Sequence, residues 1–237
     1  MPVRSCRRSQ PGLNPNCVTV WSATTSEFNM TYVDLTASFR DWGTGAEITT
    51  REVALKSEHT QYTGVVYNIT TSSMMGSYID FPGHIKETDD GVNGANADLA
   101  DFCAMPCTVI KFERANKPGG ITAADLLEAC GGVMPDTPAV IINALGSTAS
   151  FDIPQRSVYL TLDAVELLKK TPCRLLVSDV YESTALEGVF LQLFSGGIAT
   201  VCEPANLYKL PSGKVKLAVM FPKIAITQLP CALVAEF

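Results

Sequence analysis

Met74-Met-Gly-Ser-Tyr-Ile-Asp-Phe-Pro-Gly-His84 is the stretch on which the reading of this chain turns. It carries a phenol, a carboxyl group and an imidazole at Tyr78, Asp80 and His84, positions of one parity. Residues two apart in an extended chain point to one face, so the three groups would line one edge of one segment. Pro82 has no N–H to give a central ladder, so the segment must leave its sheet or run at an edge there. A strand that opens into a loop while presenting proton carriers is a common way to build a site. On spacing alone, Asp, Pro and Gly around a histidine also describe an ordinary surface turn.

Outward from this stretch the chain reads as one α/β domain. Thr31 to Phe39 is a first strand and its exit, with Asp41-Trp42-Gly43 in the loop beyond, and residues 61–70 read as a strand leading into the central stretch. Lys86 to Gly91 is a polar turn, and Asn93 to Asp101 is irregular or weakly helical. From Cys107 the pattern is regular. Apolar strands at Cys107–Phe112, Pro138–Leu145, Arg174–Val180, ending at Asp179, and Ile198–Cys202 alternate with helices at Thr122–Gly131, Thr161–Lys170 and Leu186–Phe194. Thr122 and Thr161 stand at N-cap positions. Strands at Leu217–Phe221 and Ala232–Glu236 close the sheet. Alternating strands and helices predict an α/β fold, a mixed sheet flanked by helices. Residues 1–30, with three prolines and no periodicity, read as an irregular N-terminal leader, leaving 31–237 as a single domain.

Composition narrows the function classes. A chain of 237 residues, 46% hydrophobic, can bury a full core. No apolar run approaches the ~20 residues that cross a bilayer, and no apolar segment follows the N-terminal arginines as a signal peptide would require. The net charge of -6, with no basic stripe, argues against a nucleic-acid partner. The eight cysteines show no paired zinc-ribbon spacing, and Cys173, Cys202 and Cys231 sit in apolar runs. These features read as a cytoplasmic protein with reduced thiols and no membrane partner. His59, in a polar run, reads as a surface histidine.

The central stretch resembles the signature of the cyclase superfamily, which includes kynurenine formamidases, isatin hydrolases and some polyketide cyclases: His-x-Gly-Thr-His-x-Asp-x-Pro-x-His. Gly76, Asp80, Pro82 and His84 match, Ser77 stands for Thr, and Met74 and Tyr78 occupy the places of the first two histidines. Asp34-Leu35-Thr36 resembles the family's opening strand. Leu193-Phe-Ser-Gly-Gly-Ile198 through Glu203-Pro-Ala-Asn206-Leu207, then Leu210-Pro211 and Pro222-Lys223, resemble its second half. The resemblance implies a swivelling β/β/α domain, assembled as a homodimer or homotetramer. It also implies an enzyme acting on a small carbonyl substrate.

In metal-dependent members of that superfamily the signature histidines and Asp, a later His and a Glu hold zinc or manganese, which activates water. Carried over, Asp80, His84 and Glu203 remain, while the imidazole places hold Met74, Tyr78 and Leu191. One imidazole and two carboxylates suit a harder ion than zinc, so the cofactor is one divalent ion, Mn²⁺ or Zn²⁺, or none. Three readings stay open. The first is hydrolysis of an amide or lactone at a reduced metal site of Asp80, His84 and Glu203. The second is metal-free acid–base chemistry, a cyclisation, elimination or isomerisation, with Tyr78 as proton donor, His84 as base and Asp80 or Glu203 orienting it. The third is a relative that keeps the fold without the reaction. Ser77, Trp42, Phe39, Phe81 and Gln192 are the candidate substrate contacts.

Overall fold

The structure, a computed structural model, describes residues 30–39 and 46–237. The expected leader therefore lies outside the described residues but for Met30, as does Trp42. The described elements are thirteen strands and three α-helices, with short 3₁₀ turns between them. The strands are β1 (Tyr32–Asp34), β2 (Glu47–Lys56), β3 (Gln61–Thr70), β4 (Tyr78–Asp80), β5 (Met105–Lys111), β6 (Gly119–Ile121) and β7 (Ala139–Asn143), then β8 (Val158–Leu160), β9 (Leu175–Ser178), β10 (Ala199–Cys202), β11 (Gly213–Met220), β12 (Gln228–Pro230) and β13 (Ala232–Glu236). The helices are α1 (Ala123–Ala129), α2 (Leu162–Lys169) and α3 (Val189–Ser195).

Nine strands form one mixed sheet in the order β1-β13-β11-β5-β7-β9-β10-β4-β12. Its centre, β5-β7-β9-β10, is parallel, and both flanks are antiparallel. The central strands carry continuous apolar runs because both faces are covered: all five residues of β7 and all four of β9 are buried. Alternate residues feed two cores. Val140, Ile142 and Leu176 pack under the three helices with Leu126, Leu168 and Leu193. Ile141, Val177 and Val201 pack on the other face, where the sheet curls over Leu35, Phe81, Leu207 and Phe221. This is the mixed α/β architecture that the alternation of elements predicts, with all three helices contributing to the same core.

Where element ends differ from expectation, local chemistry decides. Thr122 caps α1 with a capping box, its hydroxyl taking the Asp125 N–H and the Asp125 carboxylate taking the Thr122 N–H. Thr161 begins α2 without that service, because its hydroxyl donates to the Ile121 carbonyl at 2.9 Å instead. The third helix begins at Val189 rather than Leu186, since Leu186 and Gly188 both hold left-handed backbone (φ 54° and 95°). β2, paired with β3 in a separate two-stranded ribbon, had no counterpart in the sequence reading, and β6, β8 and β12 are three-residue strands too short to show a period.

Candidate active site

The central stretch forms β4, between β10 and the edge strand β12. Gly76 enters it with φ 62°, and a Cβ there would lie 2.7 Å from the Ala37 carbonyl oxygen, so the close approach of two backbones demands glycine. Tyr78 and Asp80 share the helix-side face, cross-strand from Cys202 and Thr200. Pro82 then opens a 3₁₀ turn that runs to His84. The turn breaks the parity of the extended chain, so His84 is carried to the surface, its Nε2 3.2 Å from Gln228 Nε2.

A cavity of about 490 Å³ opens at the carboxyl ends of β9 and β10, where open parallel sheets take ligands. Its walls are mainly apolar: Met74, Phe151, Ile153, Val158, Tyr181 and Phe190. Tyr181 stacks on Phe190 at 4.9 Å, and its hydroxyl donates to the carbonyls of Leu176 and Val201. Against this wall stand Tyr78, Asp179 and Glu203.

Each of the three is placed by a different device. Burial, with Cys202, Asp80 and Glu203 nearby, pushes the Tyr78 phenol far above its usual range, so it stays protonated at any ordinary pH. Asp179 follows β9 directly, and its two oxygens accept the N–H groups of Ala144 (2.8 Å) and Leu145 (3.0 Å), tying the loop after β7 to the site. Burial pushes its carboxyl up to about 6, against those two hydrogen bonds and with a small push from Glu203. Glu203 holds φ 53°, an uncommon backbone for a non-glycine residue. The Ser77 hydroxyl donates to the Glu203 carbonyl at 2.7 Å, and Ser150 donates to its carboxylate at 3.2 Å. A smaller, more polar chamber of about 200 Å³ adjoins, and Ser150, Phe151, Asp179 and Glu203 line both spaces.

Of the residues singled out from sequence, Tyr78 and Glu203 line the cavity, as does Met74, which occupies a signature histidine's place. Asp80 sits behind the floor, 3% exposed. Its Oδ2 lies 3.7 Å from Cys202 Sγ and its Oδ1 has no hydrogen-bond partner. Burial raises its carboxyl to about 6, while His84, Gln228 and Cys202 pull it partway back. His84 is not among the residues that line the cavity. The Ser77 hydroxyl is occupied, since it also accepts the Ala37 N–H at 2.8 Å, and Ser77 lines a separate shallow groove with Phe39. Phe81 is a core residue, packed edge-on against Phe102 and Phe221. Gln192 reaches across to Lys169 of α2 at 3.3 Å. Asp179 was missed as a site residue, although an acid directly after a buried strand is a readable signal. Phe151, Tyr181 and Phe190 had none.

The match to known proteins completes the picture. The model of the family described as "Putative cyclase" matches residues 20–183. The chain belongs to the cyclase family. Among solved structures this cyclase-family protein is similar to isatin hydrolase A from Labrenzia aggregata bound to benzyl benzoate, with a TM-score of 0.67 at 17% identity over 88% of this chain and 94% of that one. It is also similar to an isatin hydrolase bound to the product analogue thioisatinate, with a TM-score of 0.66 at 17% identity over 88% and 92%. A third is a "predicted metal-dependent hydrolase" from Bacillus stearothermophilus, with a TM-score of 0.61 at 18% identity over 87% and 98%. At these identities the likeness establishes the fold. No curated protein matches the chain.

The metal dependence named for the Bacillus stearothermophilus neighbour raises the question whether this donor set could hold an ion. It does not fit one. Among the described residues no three His, Cys, Asp or Glu side chains gather as a metal site. Glu203 faces the cavity, Asp80 is buried behind it beside a buried thiol, and His84 is exposed beside Gln228. Met74 and Tyr78 stand where imidazoles would, and Leu191 is a hydrocarbon on the exposed side of α3. Among the described residues, then, Asp80, His84 and Glu203 do not come together as a ligand set for Mn²⁺ or Zn²⁺.

Proposed function

We propose that this protein is an enzyme that performs acid–base chemistry on a small aromatic carbonyl compound, with its own side chains as the only proton carriers. The observation that carries the reading is the convergence of a protonated phenol and two carboxylates on one apolar cavity. Tyr78 donates its O–H to the substrate's carbonyl oxygen as negative charge develops there. Glu203, held inward by its left-handed backbone, takes the proton from the adjacent carbon. Asp179, near 6, is available in either form around neutral pH and can return a proton to the product. Isatin, in the names of two structural neighbours, and benzyl benzoate, bound to one of them, are aromatic carbonyl compounds, which supports that substrate class; neither has a C–H beside its carbonyl, so the proton that Glu203 takes belongs to a different member of the class.

A hydrolytic outcome on an amide or lactone is the second reading. The polar chamber favours it, because water there would lie beside the same two carboxylates.

Both outcomes are tested by incubating chelator-treated protein with aryl lactones, cyclic amides and aryl ketones in D₂O, following deuterium uptake and ring opening by NMR. Turnover should survive the chelator. Tyr78→Phe and Glu203→Gln should each lower it about 100-fold or more, while His84→Ala should stay near wild type. Loss with chelator and recovery with Mn²⁺ would sink the proposal.

A further inference from the structure

Arg156 stands in the wall of the same cavity, and it is the one cation among the described lining residues. The other charged groups there are Asp179, Glu182 and Glu203, in a chain of net charge -6. Arg156 is therefore the side chain among the described lining residues with the charge to pair an anion. The guanidinium is exposed, and no described side chain pairs with it. Its backbone holds φ 55° in a turn closed by the Ser157 N–H on the Pro154 carbonyl at 3.0 Å. That conformation is strained for a side-chain-bearing residue, and glycine would adopt it freely. A long cation at a position suited to glycine, between the lining residues Ile153 and Val158, points to use of its side chain.

We infer that the substrate carries a carboxylate, which Arg156 pairs in the cavity wall while the aromatic body fills the apolar interior. The fork of the guanidinium matches a carboxylate with two parallel N–H···O bonds. This inference rests on the proposed function for the cavity itself but can fail separately from it. Gln155, the other polar side chain of this turn to line the cavity, offers an amide N–H to the same group.

Benzoate and benzamide are the probes, since they share a ring and a carbonyl and differ in charge. Calorimetric titration of the full chain should show benzoate binding at least about tenfold more tightly than benzamide, with the preference fading at high salt. Arg156→Gln should abolish the preference by weakening benzoate alone, and Arg156→Lys should restore part of it. Melting temperatures of both variants would confirm that they are folded. Equal binding of the two probes to wild type, or a benzoate preference untouched by Arg156→Gln, overturns the inference and leaves the cavity reading standing. Failure of both probes to bind overturns both.

Discussion

Asp80 shows what a single buried acid costs. Its carboxyl lies near 6 rather than the ordinary 3.8, chiefly because burial disfavours its charge. Its folded-state value is raised, so between pH 4 and 6 the folded chain binds the proton more readily than the unfolded one. Stability therefore falls as pH rises through that window and stays lower above it. Asp179 acts with the same sign. A displacement from 3.8 to about 6 corresponds to a ceiling of about 3 kcal/mol. The near-isosteric change Asp80→Asn removes this titration. Its thermal midpoint, compared with wild type, should shift upward by several degrees between pH 4 and pH 8. A difference between the two proteins that does not vary with pH would show that Asp80 is not the cause.

Among the elements, α3 depends at its start on a residue outside itself. Glu182, seven residues ahead of Val189, accepts the N–H groups of Ser183, Glu187, Gly188 and Val189 at 2.8 to 3.2 Å. The residue at the helix's own N-cap is Gly188, which has no side chain to do this. Glu182→Ala leaves several donors in a largely buried setting and should cost about 2–4 kcal/mol, read by urea unfolding. Because α3 carries Phe190 into the cavity wall, benzamide binding should weaken as well. A loss of stability with unchanged benzamide affinity would show that the helix end does not set the wall. No spacing rule finds such a cap. The carboxylate acts across a loop whose left-handed residues, Leu186 and Gly188, hold it in reach.

At the level of the whole molecule, the β2–β3 ribbon stands apart from the nine-stranded sheet. Almost every side chain on it is exposed, with Tyr62 at 57% and Tyr67 at 63%. An isolated two-stranded ribbon is marginal in water. β2 bears Glu47, Arg51, Glu52 and Lys56, the charges that discourage edge pairing, but β3 has no charge and no proline in ten residues. The homodimer or homotetramer expected from resemblance then has a candidate seam: β3 against β3 of a second copy, antiparallel about a twofold axis and free of like-charge repulsion. Light scattering on the full chain should give at least twice the monomer mass. Val65→Lys should reduce it without lowering the melting temperature of the body. A monomeric wild type, or association indifferent to Val65→Lys, would rule this seam out.

The amino-acid sequence by itself determined the alternation of the second half, the capped α1 and the break of the central stretch at Pro82. All of these follow from local rules of period, capping and ladder hydrogen bonding. It also carried the family, because Gly76, Asp80, Pro82 and Glu203 keep their order and spacing. The tertiary structure alone decided which of those residues meet. A 3₁₀ turn from Pro82 to His84 carries His84 to the surface, Glu203 stands in the cavity wall on its own left-handed backbone, and the ends of β9 and β10 bring Asp179 to the same wall. Convergence of groups more than a hundred residues apart depends on sheet order and on strained backbone. Neither leaves a periodic trace in the chain.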